Sequence, residues 1–186
     1  MRKTVTSRKE ILKNCQNIVA NKDLTALDIR TVADACHVSV GSIYNHFSSK
    51  DDLVYEVLNQ AWGKIFDLED SKETKDKSLD HYLQWLFSSL AKKKEEHPNF
   101  FNYYSLGTAF KNPEKGAQLF ENHLKPLKEG LKEVWKNDSS IPSSLEKEEQ
   151  KIDFIFTSLL SVLLSNSMEE KDFIQMVKSY LNIESK

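Results

Sequence analysis

Residues 38–53 read VSVGSIYNHFSSKDDL, and they carry the strongest local signals of secondary structure in the chain. Ser39 and Ser49 each stand directly before a segment with apolar residues at helical spacing. A serine hydroxyl at such a position can accept a hydrogen bond from a free amide in the first helical turn. Asp52, three residues after Ser49, adds the second half of a capping box. The stretch therefore predicts a short helix that begins at Val40 and a longer helix directly after it.

The residues before this stretch predict two further helices. Ser7 and Glu10 have the spacing of a capping box, and apolar residues recur behind them at helical spacing as far as Asn21. Asp28 is the expected cap of a short second helix, which should break at His37. Two short helices around a tight turn, preceded by a longer supporting helix, form a helix-turn-helix arrangement.

The short helix from Val40 is expected to have one buried and one exposed face. Ile43 and Phe47 are four residues apart, so they lie on the same side of a helix and should face the core. The remaining side chains are left for the outer face. They are Val40, Ser42, Tyr44, Asn45 and His46.

Composition favours an all-helical protein of about nine helices. Only five Gly and four Pro punctuate the 186 residues, and 39% hydrophobic and 29% charged residues are typical of a globular chain. The apolar stretch 154–164 is shorter than the roughly 18 residues that cross a bilayer. Cys15 and Cys36 fall in helical patterns with no secretory signal ahead of them, so we expect reduced thiols and a cytoplasmic protein.

The charges are distributed unevenly along the chain. Residues 1–50 contain eight Lys or Arg and four acidic residues, a net charge of +4, although the whole chain carries −2. The remaining residues hold 18 basic and 24 acidic side chains, a net charge of −6. Chance solvation of surface helices could produce such an imbalance, but it also places any affinity for phosphate in the N-terminal part.

The motif in residues 38–53, with DIRTVA at residues 28–33, resembles the DNA-binding signature of the TetR family of transcriptional regulators. The resemblance extends over roughly residues 7–66. This chain departs from the family signature at Cys36-His37, where the family usually has Ala-Gly. The glycine commonly takes a left-handed conformation, which His adopts more readily than most residues, so we expect the turn to survive. A redox role for Cys36 or a base contact by His37 stays the less favoured alternative.

The resemblance implies which residues would contact operator DNA. Phosphate contacts would come from Tyr44, His46 and Lys50. Base edges would be read by Arg30, Val40, Ser42 and Asn45, with Ser39 capping the recognition helix. It also implies a homodimer on a palindromic site and release by a small-molecule effector.

The resemblance divides the chain into a helix-turn-helix domain at 1–50, a connecting helix at 50–69 and a helical effector-binding and dimerisation domain at 70–186. The pocket for a lipophilic or aromatic effector would be lined by aromatic residues, which could equally be ordinary core residues. They are Trp85, Phe100, Tyr103, Tyr104 and Phe120. The last two helices would form the dimer interface. The alternative is that their apolar residues fill the core of one chain. The interface residues would be Ile152, Ile155, Phe156, Leu159, Leu163, Phe173 and Val177.

Other classes of function have less support in the sequence. His81, His97 and His123 have no acidic or thiol neighbour at metal-ligand spacing, and no phosphate loop, nucleophile elbow or paired-carboxylate motif occurs. We therefore expect neither a metal or cofactor nor enzymatic activity. An activator or co-regulator with the same DNA reader is the first alternative, and an all-helical enzyme is the second.

Overall fold

The computed structural model describes residues 6–68, 78–101, 110–142 and 146–183. This part of the chain contains eight α-helices, two short 3₁₀ turns (Leu24–Ala26 and Pro98–Phe100) and no β-strand, which confirms the all-α prediction. The helices are α1 (Arg8–Asn21), α2 (Ile29–Ala35), α3 (Val40–Tyr44), α4 (Lys50–Ile65), α5 (Leu79–Glu96), α6 (Pro113–Asn137), α7 (Glu148–Ser165) and α8 (Glu170–Tyr180).

The chain forms two compact units. The first consists of residues 1–67 and 97–123, and the second of residues 68–96 and 124–186. Helix α6 contributes residues to both. None of the helices in the described ranges is long and apolar enough to cross a membrane.

Local hydrogen bonds start the helices of the first unit where the sequence predicts. The Ser7 hydroxyl accepts from the Glu10 amide, and the Glu10 carboxylate accepts from the Ser7 amide, which completes the capping box of α1. The Asp28 carboxylate accepts from the amides of Arg30 and Thr31 at 2.9 and 3.0 Å and so caps α2. Such a cap stabilises a helix by about 1 kcal/mol.

The capping box predicted for α4 is only half present. The Ser49 hydroxyl accepts from the Asp52 amide at 3.0 Å, as expected. The Asp52 carboxylate, however, accepts from the amide of Ser48 at 2.9 Å and not from that of Ser49. The carboxylate therefore ties the preceding turn to α4.

Two helices of the second unit begin without a side-chain cap, although the sequence has the spacing of a capping box at Ser143 and Glu146 and again at Ser167 and Glu170. Helix α7 begins at Glu148 behind Lys147, which has a positive φ of 61° and no side-chain cap; Ser143 lies outside the described residues. Helix α8 begins at Glu170 without a side-chain cap, and the Ser167 hydroxyl instead bonds that of Ser165.

Pro126 does not split α6, although a proline inside a helix usually kinks or breaks it. Residues 113–137 form one helix with Pro126 inside it. A proline leaves the carbonyl four residues earlier without its helical partner. That carbonyl belongs to Asn122, which is exposed like Pro126, so water can replace the lost bond.

Candidate nucleic-acid interface

The turn between α2 and α3 is closed by backbone bonds. His37 has a positive φ of 54°, and its amide donates to the Asp34 carbonyl at 3.0 Å. The next amide, that of Val38, donates to the Ala33 carbonyl at 3.0 Å. The expectation that the turn survives with His in place of Gly is confirmed.

Helix α3 exposes one face and buries the other. Ile43 and Phe47 are 0% and 1% exposed, as the spacing predicts. Val40 and Tyr44, which lie four residues apart in α3, are 38% and 49% exposed. Among the described residues of the first unit, these two are the large hydrophobic side chains left in solvent. This face is therefore a candidate contact surface.

Gly41 lies exposed on this face, and none of the described residues packs closely against it. A Cβ built on Gly41 would meet only the Ser39 hydroxyl oxygen, at 3.8 Å, and the residue does not have a positive φ. The missing side chain therefore leaves this part of α3 open to close approach by a partner.

The predicted polar contact residues surround α3. Arg30 and Asn45 are exposed, while His46 and Lys50 are half-buried. The Ser39 hydroxyl caps α3 by accepting from the Ser42 amide at 3.2 Å, and the two serine hydroxyls bond each other at 2.9 Å. Ser42 can therefore still offer part of its hydrogen-bonding capacity to a partner.

Arg8 is a residue of this region that sequence reasoning missed. Its guanidinium pairs with the Glu56 carboxylate of α4 and donates to the His46 carbonyl just after α3. It also lies 4.4 Å from the centre of the Phe47 ring. Arg8 thus fixes the end of α3 against α1 and α4. Arg8 and Glu56 are 48 residues apart, so no local pattern signals their pairing.

Both cysteines are buried in the first unit as thiols. Burial is the main cause that raises the pKa of Cys15 to about 12, and it also raises the pKa of Cys36. The Asn14 amide donates to the Cys36 sulfur at 3.4 Å. Thiols held protonated react slowly with oxidants, which favours the structural role for Cys36.

Three of the five aromatic residues predicted to bind an effector lie in the described ranges, and they are divided between the two units. The Phe100 carbonyl accepts from the Trp62 indole at 3.3 Å, and the Phe120 ring lies 5.1 Å from that of Trp62, both in the first unit. Trp85 belongs to the second unit and packs 5.4 Å from the Tyr82 ring. Tyr103 and Tyr104 lie outside the described residues.

The seven residues predicted for the dimer interface are buried within this chain, which corrects their placement on an accessible surface. None is more than 7% exposed, because each lies on the inward stripe of its helix: Ile152, Ile155, Phe156, Leu159, Leu163, Phe173 and Val177. They match the alternative in which these helices fill the core of one chain.

Other apolar residues of α7 and α8 remain in solvent. Phe154, Met176 and Tyr180 are 55%, 58% and 42% exposed, and the rings of Phe154 and Tyr180 lie 5.0 Å apart. The signal for Phe154 was present in the sequence, because residue 154 is two positions from both Ile152 and Phe156 and so lies across the helix from them.

The N-terminal part of the chain matches a known family of bacterial regulatory proteins. Residues 16–57 match the family model for bacterial regulatory proteins of the tetR family. The HTH-type transcriptional repressor KstR2 of Mycolicibacterium smegmatis is 39% identical over 59 residues, and KstR2 of Rhodococcus jostii has the same identity over the same length. These matches span 32% of this chain and 29% of each relative.

Solved structures resemble the chain over nearly its whole length. The multidrug binding protein EbrR, complexed with imidazole, has a TM-score of 0.68 at 18% identity over 96% of this chain and 97% of its own. FadR from Bacillus subtilis, in complex with stearoyl-CoA, has a TM-score of 0.65 at 16% identity over 95% of this chain and 96% of its own. Residues 16–57 thus resemble bacterial regulatory proteins of the tetR family, and the chain shares the overall fold of the two solved structures.

Proposed function

We propose that this chain, with its tetR-family DNA-binding domain, is a transcriptional repressor that binds a palindromic operator as a homodimer. In this proposal a small molecule releases the repressor from DNA in the cytoplasm. Residues 1–50 bind DNA, the helix at 50–69 connects the domains, and residues 70–186 dimerise and bind the effector.

One observation carries the proposal: α3 presents an exposed face that contains Val40, Tyr44 and Gly41, against which none of the described residues packs closely. A helix fits the major groove of B-DNA, where side chains near the helix start reach base edges. Val40 offers apolar contact to a thymine methyl, and Asn45 offers an amide to adenine.

Phosphate contacts would hold α3 in the groove. Tyr44 and His46 flank the exposed face, and Lys50 is the first residue of α4, where its charge and the free amides of the helix start both attract phosphate. In this proposal Arg30 reaches a base edge from α2. The net charge of +4 in residues 1–50 supports the same placement of DNA.

We place the dimer interface on the exposed side of α7 and α8. Phe154, Met176 and Tyr180 are the large hydrophobic side chains exposed in the described part of the second unit. An apolar patch on two helices can pack against its own copy around a twofold axis. Such a dimer would present two recognition helices to successive major grooves, about 34–36 Å apart.

The effector is proposed to be lipophilic or aromatic. The similar structures include a multidrug binding protein and a regulator bound to stearoyl-CoA, so this fold accommodates apolar ligands in those proteins. Release requires that the ligand bind more tightly to a conformation with a different spacing of the recognition helices.

The experiment is to select fragments of genomic DNA with the purified full chain and then to measure affinity for the enriched site by fluorescence anisotropy. We expect a palindrome. Tyr44→Ala should weaken binding to all duplexes, whereas Arg30→Ala or Ser42→Ala should change the preference among sites. A chain that enriches no sequence and binds no duplex at low salt would refute the proposal. A reporter gene under the selected site should be repressed. If the reporter is activated instead, the chain is an activator and not a repressor.

A further inference from the structure

A cleft of about 230 Å³ lies in the first unit between α1, α4 and the segment 97–100. Its apolar walls come from the last turns of the two helices, including Ile65, and from Phe100. Its volume equals that of roughly eight waters, so it suits a ligand of about ten non-hydrogen atoms.

The cleft is preformed because its third wall is fastened to both helices. The Asn99 side-chain amide donates to the carbonyls of Val19 and Ala20 in α1, at 2.9 and 3.1 Å. The Trp62 indole of α4 donates to the Phe100 carbonyl at 3.3 Å. A ligand here would need little rearrangement of the backbone, which lowers the cost of binding.

Polar groups with spare hydrogen-bonding capacity line the cleft. In the ranges that the structure describes, Asn17, Lys64 and His97 make no side-chain hydrogen bond or ion pair. Neighbouring polar side chains are engaged, as shown by Gln16, which donates to Gln60 at 3.3 Å. These three side chains are exposed, so they stand at the rim of the cleft, where they are free to contact a bound ligand.

The charge in the cleft favours an anion. Lys64 is the one charged residue among those that line it, and no carboxylate is among them. The carboxyl-terminal ends of α1 and α4 also meet here, and each carries partial negative charge. The Asn99 amide donates to the last carbonyls of α1, and the positive charge of Lys64 lies in the last turn of α4. These groups offset the partial negative charge of the two helix ends.

We infer that this cleft binds a small carboxylate with an aromatic or branched apolar body. The carboxylate pairs with the Lys64 ammonium and accepts from the Asn17 amide, while the apolar body packs on Ile65 and Phe100. The site lies outside the second unit, and its binding does not depend on DNA being the partner of α3. A ligand of this size is held with a Kd on the order of 0.1–1 mM.

The test follows 4-fluorobenzoate and its neutral analogue 4-fluorobenzamide by ¹⁹F NMR as each is titrated with the full chain. We expect the carboxylate to bind at least about fivefold more tightly than the amide, and Lys64→Gln to weaken it about fivefold. Ala20→Leu, which fills the cleft, should abolish binding. Lys13→Gln removes an exposed charge elsewhere on α1 and should change nothing, and circular dichroism confirms that each variant is folded.

Three results would overturn the inference. The first is no binding of the carboxylate at millimolar concentration, and the second is equal binding of the amide. The third is binding that survives in folded Ala20→Leu. All three can be read without DNA, so failure of this site is distinct from failure of the proposed repressor.

Discussion

Replacing Gly41 by alanine should change stability and DNA affinity in opposite directions. Gly41 is the second residue of α3, and an added Cβ would touch only the Ser39 hydroxyl oxygen, at 3.8 Å. Alanine is the better helix former and loses less backbone entropy on folding. Because α3 is short, we expect a gain of about 0.5 kcal/mol in the free energy of unfolding. This gain corresponds to a rise of roughly 1–2 °C in Tm.

Gly63 supplies a matched control in the same unit. It is an exposed residue of α4, and a Cβ built on it would lie 3.7 Å from Cε1 of His123, an ordinary contact. Gly63→Ala should stabilise the protein by a similar amount. Since it lies away from α3, it should leave DNA affinity unchanged.

The assay is fluorescence anisotropy with a labelled duplex from the genomic selection, combined with thermal unfolding of the same samples. A methyl group forced into a close-packed contact costs about 1–3 kcal/mol. Gly41→Ala should therefore weaken binding about five- to hundredfold, while Gly63→Ala binds like the parent protein. If folded Gly41→Ala binds as tightly as the parent protein, DNA does not approach α3 at this residue and the reasoning is refuted.

Further predictions concern the second unit. Phe154→Glu should convert the dimer to a monomer by placing a charge in the exposed apolar patch of α7, as measured by analytical ultracentrifugation; a folded variant that stays dimeric contradicts the interface. Gly130→Ala should destabilise the chain by about 1–3 kcal/mol in urea unfolding, because its Cβ would overlap the Tyr82 hydroxyl and lie 3.0 Å from Cζ; unchanged stability would show that this packing gives way without cost. Burial acts to raise the pKa of Asp138, but bonds from Leu79 and Ser140 outweigh it and hold the pKa below its usual value. Asp138 therefore stabilises the fold above its unfolded pKa, and this contribution is lost as the pH falls through the folded pKa. Asp138→Asn should lose less unfolding free energy between pH 6 and pH 3 than the parent protein does. An equal loss in the two proteins would contradict this role of Asp138.

The sequence predicted those features that depend on neighbouring residues. The caps formed by Ser7, Asp28 and Ser39 join groups two or three positions apart, so the chain signals them directly. The inward placement of Ile43 and Phe47 follows from helical period alone. This is why the local structure of α1, α2 and α3 was predicted in most of its detail.

Features that join distant segments could not be predicted in this way. Asp138 accepts from the Leu79 amide at 2.7 Å and so caps α5 across 59 residues, and the Arg8 pairing with Glu56 spans 48. No local pattern marks such pairs. The start of α7 depends on Lys147 in a left-handed conformation, which its residue type does not signal.

The residues predicted from the sequence for the dimer interface show a different limit of sequence analysis. Helix α7 is apolar on most of its sides, so hydrophobic spacing alone did not separate a core stripe from a contact surface. Burial in the structure makes that separation. It assigns Ile152 and Phe156 to the core and leaves Phe154 in solvent.

The central claim is that α3 enters a groove of duplex DNA. The most direct test places the photo-reactive residue p-benzoylphenylalanine at position 40, and separately at position 154 as a control. Both positions are exposed, at 38% and 55%. After irradiation with the selected duplex, we predict a covalent adduct from position 40 to a base within each half-site and none from position 154. An adduct from position 154 alone, or none from position 40 in a protein that binds the duplex, would contradict the account.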